Sequence, residues 1–219
     1  LLRHYAAPDR DGHLFVQSTD GAQINLLAAV CGEGVATVRG GYLLPSQIVQ
    51  PTQFAQTLEE RADAIAVGVH DGIQVVLGAE WDGGVTSSPH RTIAHVLTST
   101  VAAGMYGDLD GDRGAPMSRV VRSLQRAAYL GTLLAAAALG KDIVVLTLIG
   151  GGVFGNPVTM IWDAIQWAMD QVTPCLHRDL CVVLNGRNLG QQIAPDALRR
   201  AAQARGGRLV RFDGSRITV

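Results

Sequence analysis

The sequence predicts an α/β protein in which a mixed central sheet lies between helices. Three observations support this class. Helical and strand-like patterns alternate through the second half of the chain. Residues 143–149 form an apolar run with the length of a buried strand. The 219-residue chain is 47% hydrophobic and 17% charged, which provides enough apolar material for a sizeable core and argues against disorder.

The first half of the chain predicts more hairpin-like pairing than the second. We expect residues 1–12 to be loosely held and residues 13–18 to form a short strand. The other predicted elements of this half are a strand or strand end over 23–30, a helix over 51–62 with Thr52 as a cap, strands over 64–69 and 73–77 joined by a hairpin turn at His70, Asp71 and Gly72, and a β-branched run over 93–101. Such pairing predicts a mixed sheet rather than an all-parallel one.

The second half begins with a long helix over residues 118–139, with Ser118 as N-cap and Gly140 as its stop. The buried stripe of this helix is predicted from helical spacing to be Val121, Leu124, Ala128, Tyr129, Thr132 and Leu133. The elements that follow are a strand over 143–149, a helix from residue 160 to about Pro174, a strand over 180–185, a helix over 195–205 and a closing strand over 209–212. No linker-like composition interrupts this order, so we expect a single domain over residues 1–219.

The composition excludes several classes of partner. A net charge of −1 gives no support for nucleic-acid binding through bulk charge. No apolar run approaches the roughly 18 residues that are needed to span a membrane. The cysteines, Cys31, Cys175 and Cys181, form no CxxC pair, so we expect free thiols in a reducing compartment. These features predict a cytoplasmic protein that binds neither nucleic acid nor membrane.

An acidic turn over residues 108–114 resembles the start of a calcium loop. The EF-hand pattern requires a bidentate acid at its twelfth position, and counting from Asp108 places Arg119 there. We therefore expect no metal site, and we expect no cofactor.

A glycine-rich loop follows the apolar run at 143–149 and precedes a helix. It reads Gly150, Gly151, Gly152, Val153, Phe154, Gly155 and Asn156. A turn between a strand and a helix leaves backbone N–H groups free at the helix N-terminus, where they suit a phosphate or another anion. The loop is neither GxGxxG nor a Walker motif, which disfavours a Rossmann site and a P-loop. The alternative is a tight turn with Phe154 in the core.

Four segments of the chain together carry a resemblance. The strand, the glycine loop and the helix with Trp162, Ala164 and Ile165 look like the second phosphate loop of macrodomains. Residues 126–135 are similar to an Ala-Ala-Tyr-x-x-Thr-Leu helix. Residues 15–27 resemble a Gln-Phe-Asn-x-Leu segment, and residues 96–106 resemble a central strand with its following loop. The family with these features is the macrodomain-like arginine-ADP-ribosylhydrolases of bacterial effectors and eukaryotes.

The resemblance implies a macrodomain-like three-layer fold with an ADP-ribose site. By it, the glycine loop would hold the diphosphate and the ribose distal to adenine, with Phe154 facing the sugar. Asn25 would lie near that ribose, and residues 98–106 would form a second wall. The ligand-binding residues that we expect are Asn25, Gln50, Ser99, Thr100, Gly104, Tyr106, Gly150, Gly151, Gly152, Val153, Phe154, Gly155 and Asn156.

One segment departs from the family pattern. Around residues 42–55 the family has an acid before a Thr-Gln-Gly-Pro run, whereas this chain keeps only Gln50 and Pro51. A carboxylate is the natural group to activate a water molecule or to bind a guanidinium. The acids that could replace it are Asp82, Asp108, Asp110 and Asp112, and we take Asp108 and Asp110 as the catalytic candidates. The alternative for each is a solvated turn residue.

Three functions follow as expectations. The first is an enzyme that removes ADP-ribose from protein arginine by acid-assisted displacement at the ribose C1″. The second is a non-catalytic reader or sensor of ADP-ribose or a related adenine nucleotide. The third is a scaffold domain in which the glycine loop is only structural.

Overall fold

The computed structural model describes residues 6–8, 14–16, 23–77, 86–106, 109–184, 189–213 and 216–218, which form a mixed α/β protein. Among them the strands form two-stranded sheets. The pairs are β1 (Ala6–Pro8) with β2 (Leu14–Val16), β3 (Gly68–Leu77) with β4 (Thr86–Leu97), and β7 (Arg211–Asp213) with β8 (Arg216–Thr218), all antiparallel, and β5 (Ile143–Leu146) with β6 (Cys181–Leu184), which is parallel. The mixed α/β content that we predicted is confirmed, whereas the described strands pair two by two and form no larger mixed central sheet. Strand β1 lies inside the segment that we expected to be loose.

The helices agree with the predicted ones in number and place, apart from one short addition, α4. They are α1 (Pro51–Glu60), α2 (Gly111–Ala138), α3 (Val158–Val172), α4 (Leu189–Gln192) and α5 (Pro195–Gln203). Thr52 does not cap α1, because the residue before the helix is Gln50 and no side chain caps this end. No helix in the described ranges has both the length and the apolar character that crossing a membrane requires.

The long helix α2 begins earlier than predicted. Ser118 lies inside it, and the residue before its first turn is Asp110. The early start was hidden because Gly111, Gly114 and Pro116 are poor helix formers. The Arg113 guanidinium holds this end by donating to the Ile48 carbonyl oxygen at 3.0 Å. Residues 111–114 of the segment that resembled a calcium loop are therefore helical.

The end of α2 and its buried stripe agree with the prediction. The N–H of Gly140 donates to Ala137 O at 3.0 Å and the N–H of Lys141 donates to Ala136 O at 2.9 Å. These two bonds form the Schellman arrangement that ends many helices. Every residue of the predicted stripe is buried. Val121 and Leu124 pack in one cluster with α1, and Tyr129 and Leu133 pack in another with β5 and α3.

The predicted hairpin turn at residues 70–72 is wrong. These residues lie within β3, where the register with β4 shifts between His70 and Ile73. The signal that predicted a turn therefore marks a β-bulge, in which one strand carries an extra residue. The connection between the strands lies over residues 78–85, outside the described part of the chain. Lys141 Nζ lies 2.9 Å from Asp71 Oδ1 and ties the bulge to the end of α2.

Strand β5 is shorter and less buried than the apolar run predicted. Val144 and Leu146 are buried, whereas Ile143 is 62% exposed and Val145 is 60% exposed. Alternate residues of a strand point to opposite faces. One face of β5 therefore packs on the cluster that contains α3, and the other face is open.

Candidate functional site

A cleft of about 1080 Å³ lies between β4 and β5 and reaches the loops that follow them. Residues 92–100 line one side and residues 143–150 line the other. Residues 23–27 and 40–44 contribute further walls. The cleft thus brings together the two loops that the sequence placed at strand ends, which is where ligands bind in many α/β sheets.

The glycine loop presents unpaired backbone donors. Gly150 has φ +78°, a conformation that favours glycine and turns the chain out of β5. The N–H groups of Gly152, Val153 and Phe154 donate to no acceptor within the described ranges. Consecutive N–H groups without an acceptor, in a loop that precedes a helix, are the kind of backbone donors that suit an anion.

Two loops meet at Asn156. Its Nδ2 donates to Val101 O at 2.9 Å, and its Oδ1 accepts from the N–H of Gly104 at 3.5 Å. The N–H of Met105 donates to Phe154 O at 2.9 Å. Asn156 is buried. Its expected place beside the ribose is therefore corrected, because its amide is engaged in holding the two loops together.

Close approach explains two more glycines of the expected site. A Cβ on Gly104 would overlap the carbonyl oxygen of Gly155, so this contact between the loops admits only glycine at residue 104. Gly151 packs against Ile161 of α3. A Cβ on Gly152, in contrast, would meet nothing within 4 Å. Gly104 and Gly151 thus allow close packing around the glycine loop, whereas Gly152 is exposed on that loop and, like Gly151, is not among the residues that line the cleft.

Tyr129 of α2 anchors the chain between β5 and the glycine loop. Its hydroxyl donates to Thr147 O at 2.8 Å and accepts from the N–H of Ile149 at 2.9 Å. Burial raises the pKa of the phenol above its ordinary range, so the hydroxyl stays protonated. The sequence placed Tyr129 in the buried stripe but did not reveal this bridge. The available signal was that a buried tyrosine needs a hydrogen-bond partner.

The other polar residues expected at the site divide into two groups. Asn25, Ser99 and Thr100 line the cleft. Thr100 Oγ1 is buried and has no hydrogen-bond partner among the described residues. Asn25 Oδ1 accepts from the N–H of Leu27 at 3.0 Å. This bond belongs to a turn that replaces the strand predicted over residues 23–30.

Gln50 does not reach the cleft, which corrects its expected role. It lies exposed before α1, and its Nε2 donates to Gly34 O at 3.2 Å. The two aromatic residues that we expected at the site, Tyr106 and Phe154, line the cleft, and Phe154 is 36% exposed. The alternative of a core position for Phe154 is therefore wrong. Val153 is exposed on the glycine loop beside it.

Asp110, one of the two predicted catalytic acids, is not among the described residues that line the cleft. Asp110 is exposed directly before α2, Asp112 is exposed in its first turn, and Asp108 and Asp82 lie outside the described residues. The charged or titratable cleft residues that the sequence did not single out for the site include Lys141 and Tyr42. Within the described ranges, no group of three or more metal-ligating side chains comes together. The cysteines Cys31, Cys175 and Cys181 are free thiols.

The geometry describes a mixed α/β protein with one large cleft beside a strand–glycine loop–helix unit. Comparison of the chain with protein-family models, curated proteins and solved structures finds no match.

Proposed function

We propose that the cleft binds ADP-ribose or a related adenine nucleotide, in a fold of the macrodomain-like three-layer type. The observation that carries this proposal is the run of N–H groups at Gly152, Val153 and Phe154 that have no acceptor among the described residues, of which Phe154 lines the cleft. Such a run suits a diphosphate, which needs several donors but no fixed positive side chain.

The remainder of the cleft fits the other parts of this ligand. Phe154 and Tyr106 offer aromatic surface, which suits a sugar or a base. The partly exposed Ser99 lines the cleft, and its hydroxyl would supply a donor or acceptor for a ribose hydroxyl. The volume of about 1080 Å³ is at the upper end of the usual range for small-molecule sites, about 300–1,000 Å³.

Hydrolysis of the bond between ADP-ribose and an arginine side chain is the second candidate function. Water would attack C1″ of the ribose and the guanidine would leave with a proton, which requires a group that handles protons. Asp110 supports this candidate, because it is exposed and follows the cleft residue Tyr106 closely along the chain. Asp108 lies between them in sequence. A reader that binds without hydrolysis needs neither acid.

Calorimetry with ADP-ribose tests the binding proposal. Gly152→Glu places a carboxylate among the free N–H groups, and we expect it to lower the affinity by about tenfold or more through charge repulsion. Gly190→Glu is the matched control, because Gly190 is also exposed with open space around it and lies in α4 rather than on the glycine loop. Equal affinities for the two variants would overturn the proposal.

A turnover assay then separates the two candidates. Incubation with an arginine-ADP-ribosylated protein should release ADP-ribose if the protein is a hydrolase, and Asp108→Asn or Asp110→Asn should slow that release. Binding of ADP-ribose without any release identifies a reader.

A further inference from the structure

The cleft faces the edges of two strands rather than the face of a sheet. It is lined by every residue from 92 to 97 of β4 and by all of β5. Successive side chains of a strand point to opposite faces, so contact with every residue in a row places the cleft at the strand edge. In the described part of the chain, β4 pairs only with β3 and β5 pairs only with β6. Two strand edges without a partner among the described residues therefore border one groove.

The alternation of backbone groups shows which atoms of β5 are open. The N–H of Cys181 donates to Asp142 O at 2.8 Å, so the carbonyl of Asp142 points towards β6. Backbone groups of successive residues in a strand point to opposite edges. The N–H and C=O groups of Ile143 and Val145 therefore point away from β6, towards the groove.

These edges lack the usual protection against strand addition. Natural proteins blunt an exposed edge with Lys, Pro or an inward charge. Residues 92–97 read TIAHVL and residues 143–146 read IVVL, with none of these features. Apart from Thr92, their exposed side chains are apolar: Ile93 is 52% exposed, and Ile143 and Val145 are 62% and 60% exposed. An added strand would cover both the open backbone groups and these side chains.

We propose that an extended segment of an ADP-ribosylated protein binds in this groove as an added strand, with its modified side chain directed to the glycine loop. This inference rests on the proposed function and names its partner. We choose this partner because the groove is continuous with the proposed nucleotide site. Strand β5 lines the groove, and residues 147–149 of the same lining lead from it to Gly150 of the glycine loop. A segment with small or β-branched residues suits the walls, because neither edge segment carries a Lys, Arg, Asp or Glu.

Binding of modified and unmodified peptides tests the proposal. The probes are two eight-residue peptides of alternating valine and threonine that each carry one arginine. The arginine is at the C-terminus of one peptide and at the N-terminus of the other, and each peptide is prepared with and without ADP-ribose on its arginine. We expect at least one modified peptide to bind the full chain about tenfold more tightly than free ADP-ribose, because it adds several backbone hydrogen bonds. N-methylation of alternate peptide amides should remove this gain.

Two variants locate the effect on β5. Val145→Pro removes the N–H that points into the groove and leaves the groups that pair with β6. This variant should bind the modified peptide no more tightly than free ADP-ribose. Its affinity for free ADP-ribose should equal that of the wild type, which also shows that the variant is folded. Val145→Thr keeps the N–H and the side-chain shape, and should behave as the wild type. The N-methylated peptides test the wild-type chain, so the proposal remains falsifiable if Val145→Pro does not fold.

Three results would overturn the proposal. Equal affinities of ADP-ribose and all modified peptides would exclude strand addition while the proposed function stands. No binding of ADP-ribose to the wild type would remove the proposed function and this inference with it. A wild-type dimer that Val145→Pro converts to a monomer, measured by sedimentation, would assign the groove to a second copy of the chain instead.

Discussion

The side-chain amide of Asn156 donates a 2.9 Å hydrogen bond to the carbonyl oxygen of Val101, and both residues are buried. This bond joins the loop after β5 to the loop after β4. It acts together with the 2.9 Å bond from the N–H of Met105 to Phe154 O. The two sides of the cleft are therefore fixed to each other at the end where we place the nucleotide.

Loss of this bond should weaken both the fold and the site. We expect Asn156→Ala to lower the free energy of unfolding by about 1–3 kcal/mol, because it leaves the buried carbonyl of Val101 without a partner. Asn156→Asp keeps the shape and the Oδ1 acceptor but removes the donor, and should cost at least as much. Chemical denaturation measures the stability and calorimetry measures the affinity for ADP-ribose. An Asn156→Asp variant as stable as the wild type would contradict the assigned bond.

A methyl group at residue 104 should separate the same two loops. Gly104→Ala would place its Cβ on the carbonyl oxygen of Gly155, so we expect a loss of about 1–3 kcal/mol, as in other overpacked sites. Gly152→Ala is the control, because its Cβ meets nothing within 4 Å. Thermal and denaturant unfolding of the two variants provide the comparison. Similar stabilities would show that the loops can move apart at no cost.

Part of this arrangement could be predicted from sequence, because local periodicity reports local structure. The stripe of α2 from Val121 to Leu133 recurs at helical spacing, and its burial is confirmed. The order of strand, glycine loop and helix around Gly150 is confirmed for the same reason. The start of α2 was missed because Gly111 and Pro116 oppose a helix locally, whereas contacts distant in sequence, such as that of Arg113 with Ile48, favour it.

Features that depend on distant partners were not predictable. An apolar run such as IVVL has the same composition whether one or both faces of the strand are covered, so the exposure of Ile143 and Val145 was hidden. The role of Asn156 depends on Val101, far away along the chain, and the type of residue alone does not reveal that partner. Gln50 was placed by motif alone, and the fold of residues 34–50 turns it to Gly34 instead.

Gln125 marks a place where substitution should stabilise the protein. It is fully buried in α2, and neither atom of its side-chain amide has a hydrogen-bond partner among the described residues. A buried amide without a partner costs about 1–3 kcal/mol. Gln125→Met has a similar length and no such polar group, so we expect a gain of this order in the free energy of unfolding. Gln171→Met, at an exposed position of α3, should change it little.

The outcome at Gln125 also reports on its surroundings. A loss of stability in Gln125→Met, measured by denaturant unfolding, would contradict an unpaired amide. It would show that the amide has a partner in solution, such as an internal water molecule.

Tyr129 should make the stability of the protein depend on alkaline pH. Its pKa is raised in the folded chain by burial, whereas an unfolded tyrosine ionises near pH 10. Below pH 10 both states hold the proton, so the contribution of Tyr129 is fully present. Above pH 10 the unfolded state loses the proton first, and the free energy of unfolding should fall by up to about 1.4 kcal/mol per pH unit.

Tyr129→Phe isolates this effect. It removes the hydroxyl that bridges Thr147 O and the N–H of Ile149, so we expect a loss of about 1–3 kcal/mol at pH 7. In the same variant the free energy of unfolding should no longer fall above pH 10 through this position, because no phenol remains there. The difference in the free energy of unfolding between the wild type and the variant should therefore narrow as the pH rises. Tyr106→Phe, at an exposed residue, should keep the wild-type slope. Denaturant unfolding between pH 8 and pH 11 measures the free energy of unfolding of each protein. If this free energy depended on pH equally in the wild type and in Tyr129→Phe, the burial of a protonated phenol at this position would be contradicted.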